Sequence, residues 1–307
     1  MGSIRVGDTV PPPGAWDSHV HIVDEDRFPL HPLHPYRPKK APLSSLQAFH
    51  RRVGIDHACL IAFSVYHTDH SSILDALSQL KGKGRAVGCI DPKTITDDEL
   101  QQLHRAGVRG IRLNMRTRGD PLNKAAVLEA ADRVRYLGWA IQVYIALEQM
   151  VEFAPLVPQL GLPVVIDHIG APDEARGPGR LQPGYAEFIS LLKSGQVWTK
   201  LSGTYRFPNL PDLDEYVTEI LRIAPDRVVW ASDWPHSGGV EANPGGDRQK
   251  VQDYRKVDDV AWIVRCKQWC RDVEGDFGER LARKIWVDNP IILWQWNDDE
   301  YVGGSKL

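Results

Sequence analysis

Eight short β-rich runs, separated by helical stretches, are the feature that most constrains the fold of this 307-residue chain. Several runs are apolar at nearly every position, as in Val164-Val165-Ile166, which is typical of strands buried on both faces of a parallel sheet. Eight strand–helix units over this length predict an α/β fold, a distorted (β/α)8 TIM barrel. The predicted strands cover residues 15–23, 57–63, 84–90, 108–114, 139–145, 163–169, 197–202 and 228–232.

The segments between these runs have helical spacing, and no linker divides the chain. The sequence therefore predicts a single barrel domain over residues 15–296, with an N-terminal extension (1–14) and a C-terminal tail (297–307). No G-x-G-x-x-G follows the first strand, which argues against an open nucleotide-binding sheet. Residues 24–43 are rich in Pro and His and are expected to form a loop over the barrel mouth. The predicted helices cover residues 71–81, 97–106, 123–137, 147–160, 185–193 and 213–223.

Composition excludes some partners. A net charge of -3 and a pI near 6.4 give no basic excess that would attract nucleic acid or an anionic membrane. No apolar stretch approaches membrane-spanning length, and the polar, proline-rich N-terminus is unlike a secretory signal, so we expect a cytoplasmic protein. The sequence is compatible with a homo-oligomer. The four cysteines are expected to be buried thiols, since Cys266 and Cys270 have no second pair nearby to complete a metal site.

The first strand carries the motif Asp17-Ser18-His19-Val20-His21. Because alternate residues of a strand face one side, His19 and His21 are expected to point the same way. Two imidazoles in register can bind a metal or polarise a carbonyl oxygen, and Asp17 is expected to orient the deeper ring.

Polar residues recur at the carboxyl ends of the other strands, where a barrel of this type carries its reactive groups. Asp233 follows the apolar run 228–230, so its carboxylate should lie near the barrel axis and need a partner such as His19 or His168. A cluster of arginines at one rim indicates an anionic ligand. The strand-end residues are Ser64, His67, Arg112, Arg116, Arg118, Gln142, Tyr144, Asp167, His168, Arg206, Asp233 and His236; for His67, Arg116 and His236 a solvated rim is an equal alternative.

Three motifs together resemble the amidohydrolase superfamily. They are Asp-Ser-His-Val-His at strand one, Asp-His-Ile-Gly at strand six and Ser-Asp-Trp-Pro-His at strand eight. More narrowly, they are similar to the 2-pyrone-4,6-dicarboxylate lactonase branch, over about Trp16 to Trp296. The resemblance implies that Asp233 activates water and that His19, His21 and His168 surround a lactone carbonyl. It also implies a substrate-binding set, to which we add His236: Tyr36, Ser64, Arg112, Arg118, Tyr144 and Arg206.

The same resemblance implies turnover without a metal or other cofactor. Metal-dependent members commonly offer Lys or Glu at strand four and His at strand five, where this chain has Arg112 with Asn114 and Gln142 with Tyr144. The alternative is a single Zn²⁺ held by His19, His21, His168 and Asp233, since three or four nitrogen and oxygen ligands suffice.

The function expected from these residues is hydrolysis of the cyclic ester in a small anionic lactone or aromatic-derived carboxylate. One alternative is a zinc-dependent member of the same superfamily, either a decarboxylase of a hydroxybenzoate-type acid or a sugar lactonase. Another is a barrel without catalysis that binds an aromatic acid. The barrel itself cannot decide among them, because one fold hosts many reactions.

Overall fold

Eight parallel strands form the barrel in the computed structural model, which describes residues 9–116 and 122–297. Neighbouring strands hydrogen-bond in chain order, and helices follow the strands on the outside. The predicted (β/α)8 barrel is thereby confirmed. The strands are β1 (Trp16–Val20), β2 (His57–Ile61), β3 (Gly84–Gly88), β4 (Val108–Asn114), β5 (Ala140–Tyr144), β6 (Val164–Ile166), β7 (Val197–Leu201) and β8 (Val228–Trp230).

The barrel closes between β8 and β1 without a regular ladder. An isolated bridge joins Val20 to Trp234, just beyond β8. The register between β1 and β2 also shifts between Asp17 and Val20, and such irregularities re-aim side chains near sites. As a result Ser18 and His19 both make contacts inside the barrel. The junction between β8 and β1, called the seam below, is where the barrel departs from a regular one.

Each predicted stretch contains helix, whereas four helices among the described residues lie outside the predicted stretches: Leu43–Val53 (α1) and the three helices that follow β8. α1 was not predicted, although its buried positions Leu43, Leu46, Phe49 and Val53 have helical spacing. The predicted helix 147–160 is divided into short helical segments, because Pro155 and Pro158 lack the N–H that a continuous helix needs. The helices are α1 (Leu43–Val53), α2 (Ser71–Leu80), α3 (Asp97–Ala106), α4 (Lys124–Val134), α5 (Met150–Phe153), α6 (Val157–Leu160), α7 (Tyr185–Lys193), α8 (Leu213–Ile223), α9 (Asp259–Glu274), α10 (Gly278–Arg283) and α11 (Asn289–Leu293).

The segment that follows α11 closes the bottom of the barrel. Trp294 is fully buried with Trp16 and Trp198 in an apolar cluster inside the strands. Its Nε1 donates to Ser18 Oγ (3.1 Å), and Arg85 donates to the backbone oxygen of Gln295 (3.2 Å). A larger apolar cluster fills the space between the strands and the helices. The amino-terminal end of the barrel is therefore a packed floor.

Residues 24–43 contain a two-residue strand, Arg37–Pro38, that pairs in parallel with Val251–Gln252. This pair joins the long loop after β1 to the loop after β8, and Tyr36 beside it is buried. None of the helices in the described part of the chain is long and apolar enough to cross a membrane.

Candidate active site

His19 on β1 and His21 just after it place two imidazoles at the centre of the barrel mouth. His19 and His21 are buried, and their Nε2 atoms lie 3.2 Å apart. His21 Nδ1 lies 2.8 Å from the backbone oxygen of Ile61, and its ring stacks on Phe63 with centroids 4.5 Å apart. The two rings therefore point into the same site, as the alternation along the strand predicts.

Asp233 faces these rings from the segment after β8. Its carboxylate is buried, with Oδ1 3.6 Å from His19 Nε2 and Oδ2 3.8 Å from His168 Nε2. Oδ2 also accepts hydrogen bonds from Tyr205 Oη (2.5 Å) and from Arg206 Nη2 (2.8 Å). The Asp233 backbone has a φ of 64°, a conformation that Asp tolerates and that concentrates at functional sites. Oδ2 thus accepts from two donors, while Oδ1 faces His19.

His168 completes the cluster from the turn after β6. Its Nδ1 lies 2.9 Å from Ser202 Oγ, and Tyr144 packs edge-on against its ring with centroids 4.9 Å apart. Gly203 lets the next turn approach closely, since a Cβ there would lie 2.7 Å from His168 Nδ1. The structure therefore brings the four predicted catalytic residues together.

A polar layer lies directly beneath the imidazoles; it joins Gln142 and Asp167 from the predicted strand ends to Lys200, which sequence reasoning missed. Lys200 on β7 is fully buried, and its Nζ contacts Gln142 Oε1 (2.7 Å), His19 Nδ1 (3.2 Å) and Asp167 Oδ1 (3.5 Å). Gln142 Nε2 donates to Asp167 Oδ2 (3.0 Å). The available signal was a lysine inside a strand whose other residues are all buried, since a buried charge needs partners.

The arginines occupy different positions around the cluster. Arg206 is paired with Asp233, whereas Arg112 Nη2 lies 3.8 Å from Asp167 Oδ2 and Nη1 donates to the Ala62 backbone oxygen at 3.4 Å. The buried Arg112 Nε has no hydrogen-bond partner within the described residues. Arg118 lies outside the described residues. Arg112 thus has fewer of its N–H donors in hydrogen bonds than Arg206 has.

Three further predicted residues have distinct surroundings. Tyr36 is buried and hydrogen-bonds with Ser237, close enough to Arg112 and Arg206 for their charges to act on its pKa, which burial raises. Ser64 Oγ accepts from Asn114 Nδ2 (3.0 Å) beside Arg112 in an open cavity. His236 Nε2 lies 3.1 Å from Asp259 Oδ1, and its ring packs edge-on against Tyr205. His236 therefore stands behind the tyrosine that contacts Asp233.

Asp17 does not orient the ring of His19, which corrects the expectation from the motif. Its Oδ1 accepts from the backbone N–H groups of His19 (3.3 Å) and Ser232 (3.0 Å), and its Oδ2 accepts from Ser232 Oγ (2.5 Å). The register shift in β1 turns this side chain toward the seam, where His50 on α1 lies 3.4 Å away. Asp17 therefore joins β1 to the segment after β8. The side chain that contacts Nδ1 of the His19 ring is Lys200.

Burial and neighbouring charges set the protonation states of the cluster. Burial lowers the pKa of His21 to about 3, with help from Arg112, and the pKa of His168 to about 4. Burial alone would raise the pKa of Asp233, but Arg206 and the surrounding histidines outweigh it and hold that pKa well below its usual range. Near neutral pH the site therefore contains an ionised carboxylate beside neutral imidazoles.

The sequence of residues 16–296 matches the family described as Amidohydrolase. This chain belongs to the amidohydrolase family. The amidohydrolase is 29% identical over 303 residues to a 2-pyrone-4,6-dicarboxylate hydrolase of Comamonas testosteroni, covering 94% of this chain and 92% of that protein. It is 30% identical over 295 residues to a 4-sulfomuconolactone hydrolase of Rhizobium radiobacter, covering 92% and 90%. A solved apo structure from Agrobacterium tumefaciens shares the fold, with a TM-score of 0.75 at 22% identity over 94% of this chain and 98% of that one.

A divalent metal fits the donor types of this amidohydrolase but not the charges beside them. His19, His21 and Asp233 each offer a ligand atom, and these atoms lie within 4.8 Å of one another. However, Lys200, Arg112 and Arg206 bring three positive charges to a cluster whose buried carboxylates are Asp167 and Asp233, both already in contact with those cations. Such a balance favours an anion over a dication.

The lowered histidine pKa values predict that this amidohydrolase loses stability as the pH falls. Unfolded histidines take up protons near pH 6.5, whereas folded His21 and His168 do so only near 3 and 4. Between these limits the unfolded state binds more protons, so the free energy of unfolding falls by about 1.4 kcal/mol per pH unit per histidine. We expect these two residues to cost about 4 kcal/mol between pH 7 and pH 5, measured by urea unfolding.

The His168→Gln variant provides the check on this pH dependence. Removing His168 should reduce the stability loss between pH 7 and pH 5 by about 2 kcal/mol. The rest of the loss remains, because His21 and buried His19, whose pKa is also lowered, still contribute. An unchanged pH dependence would show that His168 is protonated as easily in the folded chain as in the unfolded one.

Proposed function

We propose that this amidohydrolase opens the cyclic ester of a small anionic lactone of the 2-pyrone-4,6-dicarboxylate type, without a metal. The observation that carries the proposal is the buried, ionised Asp233 facing His19, His21 and His168 at the carboxyl end of the barrel. The relatives named as hydrolases of 2-pyrone-4,6-dicarboxylate and of 4-sulfomuconolactone support the same substrate class.

In the proposed reaction Asp233 acts as the general base. Its Oδ1 accepts a proton from water while the water oxygen forms a bond to the lactone carbonyl carbon. An imidazole N–H of the cluster stabilises the negative charge on the carbonyl oxygen, and one such donor contributes about 3 kcal/mol in other enzymes. The bond from the carbonyl carbon to the ring oxygen then breaks, and Asp233 returns the proton to that oxygen. The product is the open-chain hydroxy acid or its keto tautomer.

Arg112 is the side chain that we assign to the substrate's carboxylate. Its guanidinium is buried at the mouth, is not in a close ion pair and lines an open cavity together with Ser64 and Asn114. A guanidinium binds a carboxylate with two parallel hydrogen bonds, which fixes the ring relative to Asp233. Tyr36, Tyr144 and Arg206 also belong to the proposed binding set, as does Arg118 from its place in the sequence.

We expect Arg112→Met to lower kcat/KM for the dicarboxylate lactone by about 10- to 100-fold, because a charge-assisted hydrogen bond to substrate is lost. An uncharged lactone should lose only a few-fold, since it has no carboxylate to bind. Steady-state kinetics on the two substrates measures the difference. Arg109→Met is the matched control, because Arg109 is on the same strand and donates to the backbone oxygens of His104 and Val108. Equal losses on both lactones would contradict the assignment.

The function itself is tested with 2-pyrone-4,6-dicarboxylate. The absorbance of the pyrone is followed with enzyme that has been treated with a chelator, and again after adding Zn²⁺. Loss of the band without metal supports the proposal. Turnover only with Zn²⁺ would assign His19, His21, His168 and Asp233 to a metal instead. Binding of the pyrone with no turnover in either condition would favour the barrel without catalysis, and neither binding nor turnover would favour another lactone or a decarboxylase substrate.

A further inference from the structure

The ammonium group of Lys200 is buried among polar side chains. Lys200 has no exposed surface, and its Nζ lies 2.7 Å from Gln142 Oε1, 3.2 Å from His19 Nδ1 and 3.5 Å from Asp167 Oδ1. The ring of Trp294 lies below, with its centroid 5.4 Å from Nζ. An ammonium has donors and no acceptor, so each of these contacts requires a lone pair on the partner.

The contact with His19 fixes where that ring carries its proton. Because Lys200 donates to His19 Nδ1, this nitrogen must offer its lone pair, and the single proton of the neutral imidazole lies on Nε2. Asp167 Oδ1 is 3.4 Å from the same Nδ1. His19 Nδ1 and Asp167 Oδ1 therefore lie next to each other, and both are within 3.5 Å of Lys200 Nζ.

His21 leads to the same assignment independently. Its Nδ1 lies 2.8 Å from the Ile61 backbone oxygen, which can only accept, so neutral His21 carries its proton on Nδ1. His21 Nε2 is then an acceptor, and it faces His19 Nε2 at 3.2 Å. That contact is a hydrogen bond only if His19 Nε2 is the donor.

We infer that Lys200 is a positioning residue that holds the proton of His19 on Nε2. The N–H placed there points into the cluster, where it donates to His21 Nε2 in the free protein. When the lactone binds, it exchanges that partner for the carbonyl oxygen, a role that rests on the function proposed above. The same placement removes the lone pair with which His19 would bind a metal. Without Lys200, Asp167 would accept from His19 Nδ1, the arrangement that carboxylates commonly give to metal-binding histidines.

The proton position is measured directly by NMR of the ¹⁵N-histidine-labelled wild-type protein at pH 7, with His19 assigned by its absence in His19→Asn. We expect His19 with Nε2 protonated and Nδ1 bare. In Lys200→Met the proton should move to Nδ1, the affinity for Zn²⁺ should rise at least tenfold in competition with a coloured chelator, and kcat should fall at least tenfold.

Lys267→Met is the matched control, because Lys267 is also buried but contacts the Val10 backbone oxygen and Glu279 on the far side of α9. It should keep the wild-type proton position and Zn²⁺ affinity. Wild-type His19 protonated on Nδ1, or a Zn²⁺ affinity unchanged in Lys200→Met, would overturn the inference. If Lys200→Met does not fold, the wild-type spectrum alone decides. Neither readout requires turnover, so a failure of the lactonase assay and a failure of this inference are distinguishable.

Discussion

Asp233→Asn is expected to lower kcat by about 10³- to 10⁴-fold, the upper range for removal of a general base. Asn keeps the shape of the side chain and an oxygen that can still accept from Tyr205 and Arg206, but its amide cannot take a proton from water. The affinity for the lactone should change little, since no substrate contact is assigned to this carboxylate. Steady-state kinetics together with a direct binding measurement separates the two effects.

Asp212→Asn is the control for this substitution. Asp212 is a buried carboxylate outside the cluster, where it accepts from the backbone N–H groups of Gly179 and Arg180. This variant should keep the wild-type kcat. If Asp233→Asn retained more than a tenth of the activity, Asp233 could not be the base, and Asp167 would be the next carboxylate to test because it also lies against His19.

The second large effect is expected from Trp294→Ala, which removes the floor of the site. Trp294 is fully buried, donates to Ser18 Oγ and supports Lys200 with its ring. Loss of a buried aromatic side chain and the cavity that it leaves cost about 3–5 kcal/mol, measurable by urea unfolding. We also expect kcat to fall, because water entering the cavity would compete for the ammonium group beneath His19.

Trp296→Ala provides the comparison. Trp296 is only partly buried and packs against Trp16 and His57 at the outer end of the floor. It should cost less stability than Trp294→Ala and leave kcat close to that of the wild type. A loss below about 1 kcal/mol in Trp294→Ala would contradict the idea that this ring supports the cluster.

The strand ends were accessible to sequence reasoning because barrel geometry brings them together. Eight apolar runs predict that residues following different strands meet at one mouth, and His19, His168 and Asp233 do meet there. This argument needs only strand order and the direction of the chain. It does not give distances, and so it could not show that Arg206 is paired with Asp233 in the free protein.

Lys200 and Asp17 show where the sequence was insufficient. Lys200 precedes the end of its strand by one residue, and without the register of β7 its side chain could as well face the helices. Asp17 was misinterpreted because the shift in β1 changes which residues face inward, and a regular alternation does not predict such a shift. The missed helix α1 is different, since the spacing of Leu43, Leu46 and Phe49 was visible.

The hydrogen bond between Ser18 and Trp294 joins residues that are 276 positions apart. Contacts of such long sequence separation carry the loop-closure entropy of the intervening chain and form slowly. His19 and His21 thus acquire their support only when the two ends of the barrel meet. During refolding, activity should return together with this closing contact, and a chain halted at an earlier stage would have most of its secondary structure and no function.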